Sequence, residues 1–201
     1  GQEVAEQDEY TYLGVRVHAT KGMGPAPAAL AASGRRALHA MMQRARRCHL
    51  FQFDMRCRLF DVLVEPVLSY ASHVWGPQVF CAKFRPRQQP AGQRPRRKPT
   101  LVDSDADKVH MYFLRMLTGV GKACIDVVLR DMHHAPIVHH WVVLAARWWN
   151  KLAGMDAAVA RVARAAWLSD IALMRGSETG GRLHEACWSY QLLSSLQSLR
   201  V

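Results

Sequence analysis

The chain has 201 residues, half of them hydrophobic and six of them tryptophan, which excludes a disordered composition and allows one sizeable domain or two small ones. Lysine and arginine number 27 against 16 acidic residues, and this formal net charge of +11 favours a polyanionic partner, most often nucleic acid. The alternative is a domain whose positive charge only aids its solubility.

The first predicted element is a short β-strand at residues 9–17, EYTYLGVRV. Tyrosine and valine alternate along it, and Gly14 permits a bulge or a close backbone approach. The chain starts at Gly1 and not at a methionine, so we expect this strand to be the end of a sheet that lies upstream of it. A loop rich in glycine and proline follows.

The next element is an amphipathic helix at about residues 28–49. Its predicted apolar stripe consists of Leu38, Met41, Met42, Ala45 and Cys48. The opposite side carries Arg36, Arg44 and Arg47, with Arg35 and Arg46 on one flank. No acidic residue lies between 28 and 49, whereas an ordinary solvated face mixes both signs. We therefore predict that these five arginines contact phosphate groups, a solvated face being the alternative.

Residues 55–75 keep helical spacing, but Pro66 interrupts them, which predicts a kink or two abutting helices. Tyr70 and Trp75 are expected to be core or interface aromatics. Residues 83–99 then carry seven basic residues, four prolines and no acid, a composition typical of a flexible linker.

Beyond the linker the sequence is helical again. The stretch DSDAD at 103–107 resembles a calcium loop but lacks its glycine and its final glutamate, so it is interpreted as a helix N-cap, with Gly119 as the C-cap. A stripe of large residues runs from Ile137 to Leu152 and is predicted to be core, and further helices follow to the end. The fold class predicted is mainly α, with a helical thumb-like bundle, a second small helical region and a short N-terminal β segment.

Little in the sequence indicates catalysis or a metal. Four histidines, at 133, 134, 139 and 140, lie close together, but Pro136 separates the two pairs and no cysteine or carboxylate stands at zinc-like spacing. Nucleotide-binding glycine loops, metalloprotease motifs and a nucleophile elbow are missing from the sequence. The chain is therefore predicted to be an incomplete enzyme that needs no cofactor of its own.

Cysteine usage and hydropathy indicate the compartment. The five cysteines are widely spaced and form no C-x-x-C pair, which is typical of a reduced, intracellular protein. The acidic start is unlike a secretory leader, and no apolar run approaches the roughly 18 residues of a spanning helix. We expect a nuclear or cytoplasmic protein with no membrane partner.

Several stretches, taken in order, resemble the region downstream of the polymerase core in LINE-type (non-LTR) retrotransposon reverse transcriptases. They are YTYLGVRV, LFDVLVEPVLSYASHVWGP, VHMYFLRMLTGV, VVLRDM and WWNKLAGM. The family's thumb pattern P-x-L-x-Y-small-x-x-x-W-G is matched by Pro66, Leu68, Tyr70, Ala71, Trp75 and Gly76. Together the stretches cover about residues 9–82 and 107–192.

The resemblance implies four segments and a partner. Residues 1–24 would be the last palm strand and its loop, 25–82 thumb-like helices, 83–107 a basic proline-rich linker, and 108–201 a downstream helical domain. In that family a Tyr-Leu-Gly stretch lies beside the primer-holding hairpin, which adds Tyr12 and Gly14 to the arginines as expected nucleic-acid-binding residues. The implied ligand is an RNA–DNA or template–primer duplex held through its backbone.

The chain also departs from the family. The catalytic aspartates of the palm, with their A-D-D turn, are missing from it, and so is the C-terminal Cys/His finger of some members. The resemblance therefore implies a non-catalytic fragment whose palm, fingers and magnesium ions lie elsewhere. Two alternatives remain open: a helical protein-interaction module using Trp141, Trp148 and Trp149, or the conceptual translation of a decayed retroelement.

Overall fold

The chain folds mainly into helices, preceded by a two-stranded antiparallel sheet. The computed structural model describes residues 7–84, 104–121, 124–155, 161–176 and 187–198. The strands are β1 (Glu9–Tyr12) and β2 (Val15–His18). The helices are α1 (Ala26–Arg47), α2 (Phe53–Leu63), α3 (Glu65–Leu68), α4 (Ser72–Phe84), α5 (Asp105–Thr118), α6 (Ile125–Asp131), α7 (Ile137–Gly154), α8 (Arg161–Gly176) and α9 (Trp188–Ser198).

Two compact units are present, and each is discontinuous in sequence. The first unit contains the described residues up to Tyr70 together with those from 104 to Ile137. The second contains residues 71–84 and the described residues from Val138 onward. The predicted division at residues 24, 82 and 107 follows chain order and stays a prediction. The linker predicted at 83–99 lies outside the described residues from position 85.

The N-terminal sheet is a hairpin and not the single strand that the alternation predicted. β1 pairs with β2 in a register that places Tyr10 opposite Val17 and Tyr12 opposite Val15. Leu13 and Gly14 form the turn between them, with φ angles of 47° and 82°. Positive φ at both central residues matches the twist of a two-residue hairpin. β1 therefore pairs with β2, the segment that directly follows it, and Gly14 is part of the turn between them and not of a bulge.

Helix α1 is the central element of the first unit, where it packs against α2, α3 and α5. Leu38, Met41, Met42 and Ala45 are buried as predicted, whereas Cys48 is exposed because the helix ends at Arg47. Gly34, also buried, lies where α3 crosses. A carbon added at its Cβ position would lie 2.8 Å from Leu68 Cγ and closer still to Leu68 Cδ2. This glycine therefore allows the two helices to approach closely.

Gly34→Ala is expected to destabilise the first unit by up to about 2 kcal/mol. Alanine favours the helix by about 1 kcal/mol, but the overpacking against the fully buried Leu68 costs about 1–3 kcal/mol and prevails. Urea unfolding measures the change. Gly154→Ala is the matched control, because its Cβ would meet nothing within 4 Å. A gain in stability for Gly34→Ala would contradict the close packing of α1 on α3.

Two prolines occupy different positions in their helices. Pro66 lies in the first turn of α3, directly after α2 ends, which confirms the prediction of abutting helices. Pro77, by contrast, lies inside α4, which runs to Phe84. Tyr70 is half-exposed, while Trp75 is buried.

Helix α5 begins with the predicted cap. The Ser104 hydroxyl accepts a hydrogen bond from the Asp107 N–H at 3.1 Å, and the Asp107 carboxylate accepts one from the Ser104 N–H at 3.3 Å. The second carboxylate oxygen of Asp107 accepts from the Ile137 N–H at 3.2 Å, so the cap also holds a residue far along the chain. The helix ends at Gly119 with a φ of 71°, as predicted. Phe113 of α5 stacks on Phe60 of α2 at 4.3 Å.

Tryptophans form the centre of the second unit. Trp75 of α4 meets the edge of Trp141 of α7 with ring centroids 4.8 Å apart, and both are fully buried. Trp149 contacts Trp167 of α8 at 5.3 Å and stacks on Trp188 of α9 at 6.0 Å. Trp141 is therefore core, as the predicted stripe of α7 requires. Trp149, which the alternative of an interaction module placed on an exposed surface, is half-buried in a cluster.

Within the described ranges, no helix is long and apolar enough to cross a membrane. No group of three or more histidine, cysteine or acidic side chains in those ranges is arranged to hold a metal ion.

Candidate nucleic-acid interface

Helix α1 presents all five of its arginines to solvent. Arg35, Arg36, Arg44, Arg46 and Arg47 are exposed, while the opposite side of the helix is buried in the first unit. The sequence contains no acidic residue between Glu9 and Asp54. Within the described ranges these arginines form no salt bridge, and the Arg36 guanidinium donates to Ser33 Oγ at 2.9 Å. Their charge is therefore directed at solvent and not at carboxylates of the fold.

Three of the arginines share one sector of the helix. At about 100° per residue, Arg36, Arg44 and Arg47 fall within a sector of roughly 80°, opposite the buried stripe. We call these three the arginine face. A rise of about 1.5 Å per residue makes the face about 16 Å long, which is nearly five base steps of about 3.4 Å. Such a row has the length to meet several consecutive phosphates of one strand.

The other two arginines lie on a flank, as the sequence predicted. Arg35 and Arg46 are about 90° around the helix from the arginine face. Arg46 also lines a cavity together with residues of α5. The structure therefore divides the five arginines between two surfaces.

The position of three arginines in the last turn of α1 has a structural effect as well. Arg44, Arg46 and Arg47 lie where the helix dipole is negative. A cation there stabilises a helix by about 0.3–1 kcal/mol. This effect explains one or two arginines at the helix end, but it does not apply to Arg36, which lies mid-helix.

The hairpin separates Tyr12 from Gly14. A cleft of about 760 Å³ lies between the hairpin and the first half of α1, and Gly14 and Arg36 both line it. Tyr12 pairs with Val15 and points to the other face of the hairpin, where the residue is 66 % exposed. Gly14 therefore joins an arginine of α1, whereas Tyr12 belongs to a separate, apolar surface.

Sequence reasoning missed two cations in this cleft. Arg16 and Lys21 line it, and alanines of α1 form its floor. Arg16 pairs with Glu9 at 3.4 Å, so part of its charge is balanced. The signal in the sequence was the long acid-free run from Tyr10 to Phe53, which joins the hairpin to α1 in one cationic stretch.

Among the described residues of the first unit, two titratable groups with shifted pKa values belong to helices other than α1. Burial, followed by the nearby His134, lowers the pKa of His110 to about 3. Burial, followed by Asp61 and Asp54, raises the pKa of the Cys57 thiol. Both groups are therefore neutral at pH 7.

No protein-family profile, curated protein or solved structure matches the chain. The function of this surface is therefore inferred from its charge and geometry, together with the order of motifs along the sequence.

Proposed function

We propose that the chain is the non-catalytic, thumb-side part of a LINE-type RNA-directed DNA polymerase, and that it grips the backbone of the template–primer duplex. The observation that carries the proposal is the arginine face, three exposed guanidinium groups on one sector of a helix without any acidic residue. Guanidinium groups bind phosphate oxygens in bidentate fashion.

The arrangement favours shape and charge over base readout. The arginines lie on a helix that is anchored by its buried stripe, so the cations keep a fixed spacing. An RNA–DNA hybrid is A-like, and its shallow minor groove suits contacts to backbone and sugar. Such contacts set the register of a protein on a duplex without reading its sequence.

The polymerase assignment is supported by the order of motifs in the sequence. The catalytic aspartates are expected in a palm that this chain lacks, and magnesium would belong to that palm. The role proposed for this chain is therefore to hold the duplex, with no chemical step assigned to its own residues.

The test is the salt dependence of binding by the whole chain to an RNA–DNA hybrid and to two DNA duplexes of unrelated sequence. We expect equal affinity for both DNA sequences and a linear fall of log K with log salt between about 50 and 200 mM. Binding that is flat over this range would contradict the electrostatic grip. In a primer-extension assay we expect no nucleotide to be added.

A second candidate function is a protein-interaction module, which is favoured by an apolar stripe on α2. Met55 and Val62 of that helix are exposed, Val62 by 69 %, and Phe51 just before it is exposed too. Exposed apolar side chains that gather on one helix face are typical of a protein-binding site. Capture of a partner protein that survives nuclease treatment and is lost in Val62→Asp would favour this function.

A further inference from the structure

A groove in the first unit lies beside the arginine face and combines an aromatic ring with cations. Two adjoining cavities of about 480 and 210 Å³ share Tyr112 and Met116 of α5 as lining residues. The larger extends along α5 towards Gly119, and the smaller reaches α1 at Arg46. We call them together the Tyr112 groove.

The aromatic ring at its centre is open to a ligand. Tyr112 is 51 % exposed, although its neighbours Met111 and Phe113 are buried. One side of the ring is near His39 of α1, with centroids 6.2 Å apart and planes at 47°. Buried apolar residues, Leu38, Met42 and Met111, complete the floor of the two cavities. A flat apolar ring that entered the groove would meet an aromatic face above a nonpolar floor.

The charge around the groove is positive. Arg46 lines it from α1, and Lys108 and Arg115 line it from α5. No carboxylate is among the described residues that line either cavity, although Lys108 donates to Asp105 at 2.7 Å outside them. Arg46 is exposed and forms no salt bridge within the described ranges, so its charge is open to an incoming anion. Beside Gly119 and Gly121 there is open space, because a Cβ at either would meet nothing within 4 Å.

We propose that the Tyr112 groove binds a nucleotide of single-stranded nucleic acid, with the base stacked on Tyr112 and the adjacent phosphate held by Arg46. An apolar peptide would contact the nonpolar floor but leave the cations without an anion. Free phosphate would bind the cations but leave the Tyr112 ring uncovered. A duplex cannot offer this ligand because its bases are already stacked and paired. Aromatic stacking together with cationic contacts is the general mode of single-strand binding.

The proposal goes beyond the duplex grip and uses different residues. The arginine face is about 90° around α1 from Arg46. Single-strand binding at Tyr112 and duplex binding at the arginine face are therefore expected to respond to different substitutions.

The experiment compares Tyr112→Ala, Tyr112→Leu and Tyr112→Phe in the whole chain. The probes are a dye-labelled deoxythymidine oligonucleotide of about twelve residues, which is within the usual site size, and a duplex of equal length. We expect alanine and leucine to weaken single-strand binding at least about fivefold, since stacking contributes that much or more per base. Phenylalanine is expected to retain the affinity, and all three variants are expected to bind duplex as the wild type does.

Three outcomes would overturn the proposal. They are unchanged single-strand affinity in Tyr112→Ala, an equal loss for single strand and duplex, and tight binding by the leucine variant. Thermal unfolding of each variant identifies any loss of fold. Should the alanine variant unfold, photocrosslinking of wild-type protein to an oligonucleotide containing 5-iodouracil decides: adducts at Tyr112 or His39 support the site, and adducts confined to other peptides refute it.

The failure of this proposal is distinguishable from that of the duplex grip. Arg36→Ala/Arg44→Ala/Arg47→Ala tests the arginine face without altering the Tyr112 groove. If the triple variant loses duplex binding while Tyr112→Ala binds single strand normally, the duplex grip is supported and the Tyr112 groove is refuted. If the triple variant binds duplex normally while Tyr112→Ala loses single-strand binding, the Tyr112 groove is supported and the duplex grip is refuted.

Discussion

Replacing Arg36, Arg44 and Arg47 by alanine is expected to weaken duplex binding roughly a hundredfold, and equally for every sequence. Each exposed guanidinium–phosphate contact contributes about 1 kcal/mol, and three contacts give that factor. Three fewer phosphates would be neutralised, so the slope of log K against log salt is expected to become shallower by about 2.7 on B-form DNA. Fluorescence anisotropy titrations at four or five salt concentrations measure both quantities.

The matched control is Arg58→Ala/Arg130→Ala/Arg147→Ala. These three arginines are also exposed and lie off α1, so the control loses the same net charge. We expect it to retain most of the affinity and most of the slope. Equal losses in both triple variants would mean that net charge, and not the arginine face, holds the duplex. A loss that depends on sequence would contradict backbone contacts.

The stability of the α1 variant needs its own measurement. Arg44 and Arg47 are in the last turn of the helix, and their loss is expected to cost up to about 1 kcal/mol each. Urea unfolding at matched salt shows whether the variant is folded at the temperature of the binding assay, which separates a loss of grip from a loss of fold.

Stability of the first unit is expected to fall by about 1.4 kcal/mol per pH unit on acidification because of His110. His110 is only 3 % exposed. Its ring stacks on Phe60, with centroids 5.2 Å apart, and meets His134 edge-on at the same centroid distance. Its Nε2 has no hydrogen-bond partner within the described ranges. Burial and His134 therefore lower its pKa to about 3.

The direction follows from proton binding. The folded-state pKa lies below the unfolded value of about 6.5, so below that pH the unfolded chain binds a proton that the native state does not. Stability is expected to be unaffected by His110 above about pH 6.5 and to fall towards the folded-state pKa near 3. Urea unfolding at half-unit steps of pH measures the slope.

His110→Phe is the comparison, because it keeps an aromatic ring beside Phe60 and cannot be protonated. Between about pH 6.5 and 3, the free energy of unfolding of the variant is expected to fall less steeply than that of wild type, because the slope contributed by His110 is absent. Its absolute stability can shift through packing, so the slope is the quantity compared. Parallel curves for the two proteins would contradict a buried neutral histidine.

Local signals allowed much of the first unit to be predicted. The stripe of α1 as far as Ala45, the cap at Ser104 and the end of α5 at Gly119 each depend on a few neighbouring residues, and each is confirmed. The break at Pro66 is confirmed for the same reason. The exposure of the five arginines is confirmed as well, since an amphipathic pattern places them opposite the buried side.

The wrong predictions have two causes: a local pattern that fits two structures, and contacts between residues distant in sequence. The alternation in residues 9–17 does not distinguish one strand from two that pair, and the turn at Leu13-Gly14 decides for a hairpin. Trp149 lies off the apolar stripe of α7, but Trp167 and Trp188, distant in sequence, partly cover it.

By itself the sequence determined where positive charge and apolar surface occur along each helix, because periodicity depends on residues three and four apart. Only the tertiary structure decided which helices meet. It joined α1 to α5 across the 57 residues of chain between them, brought Arg46 to the cavity that Tyr112 lines, and placed Gly34 against Leu68. These contacts depend on the complementary shapes of surfaces that are remote in sequence, which no local pattern specifies.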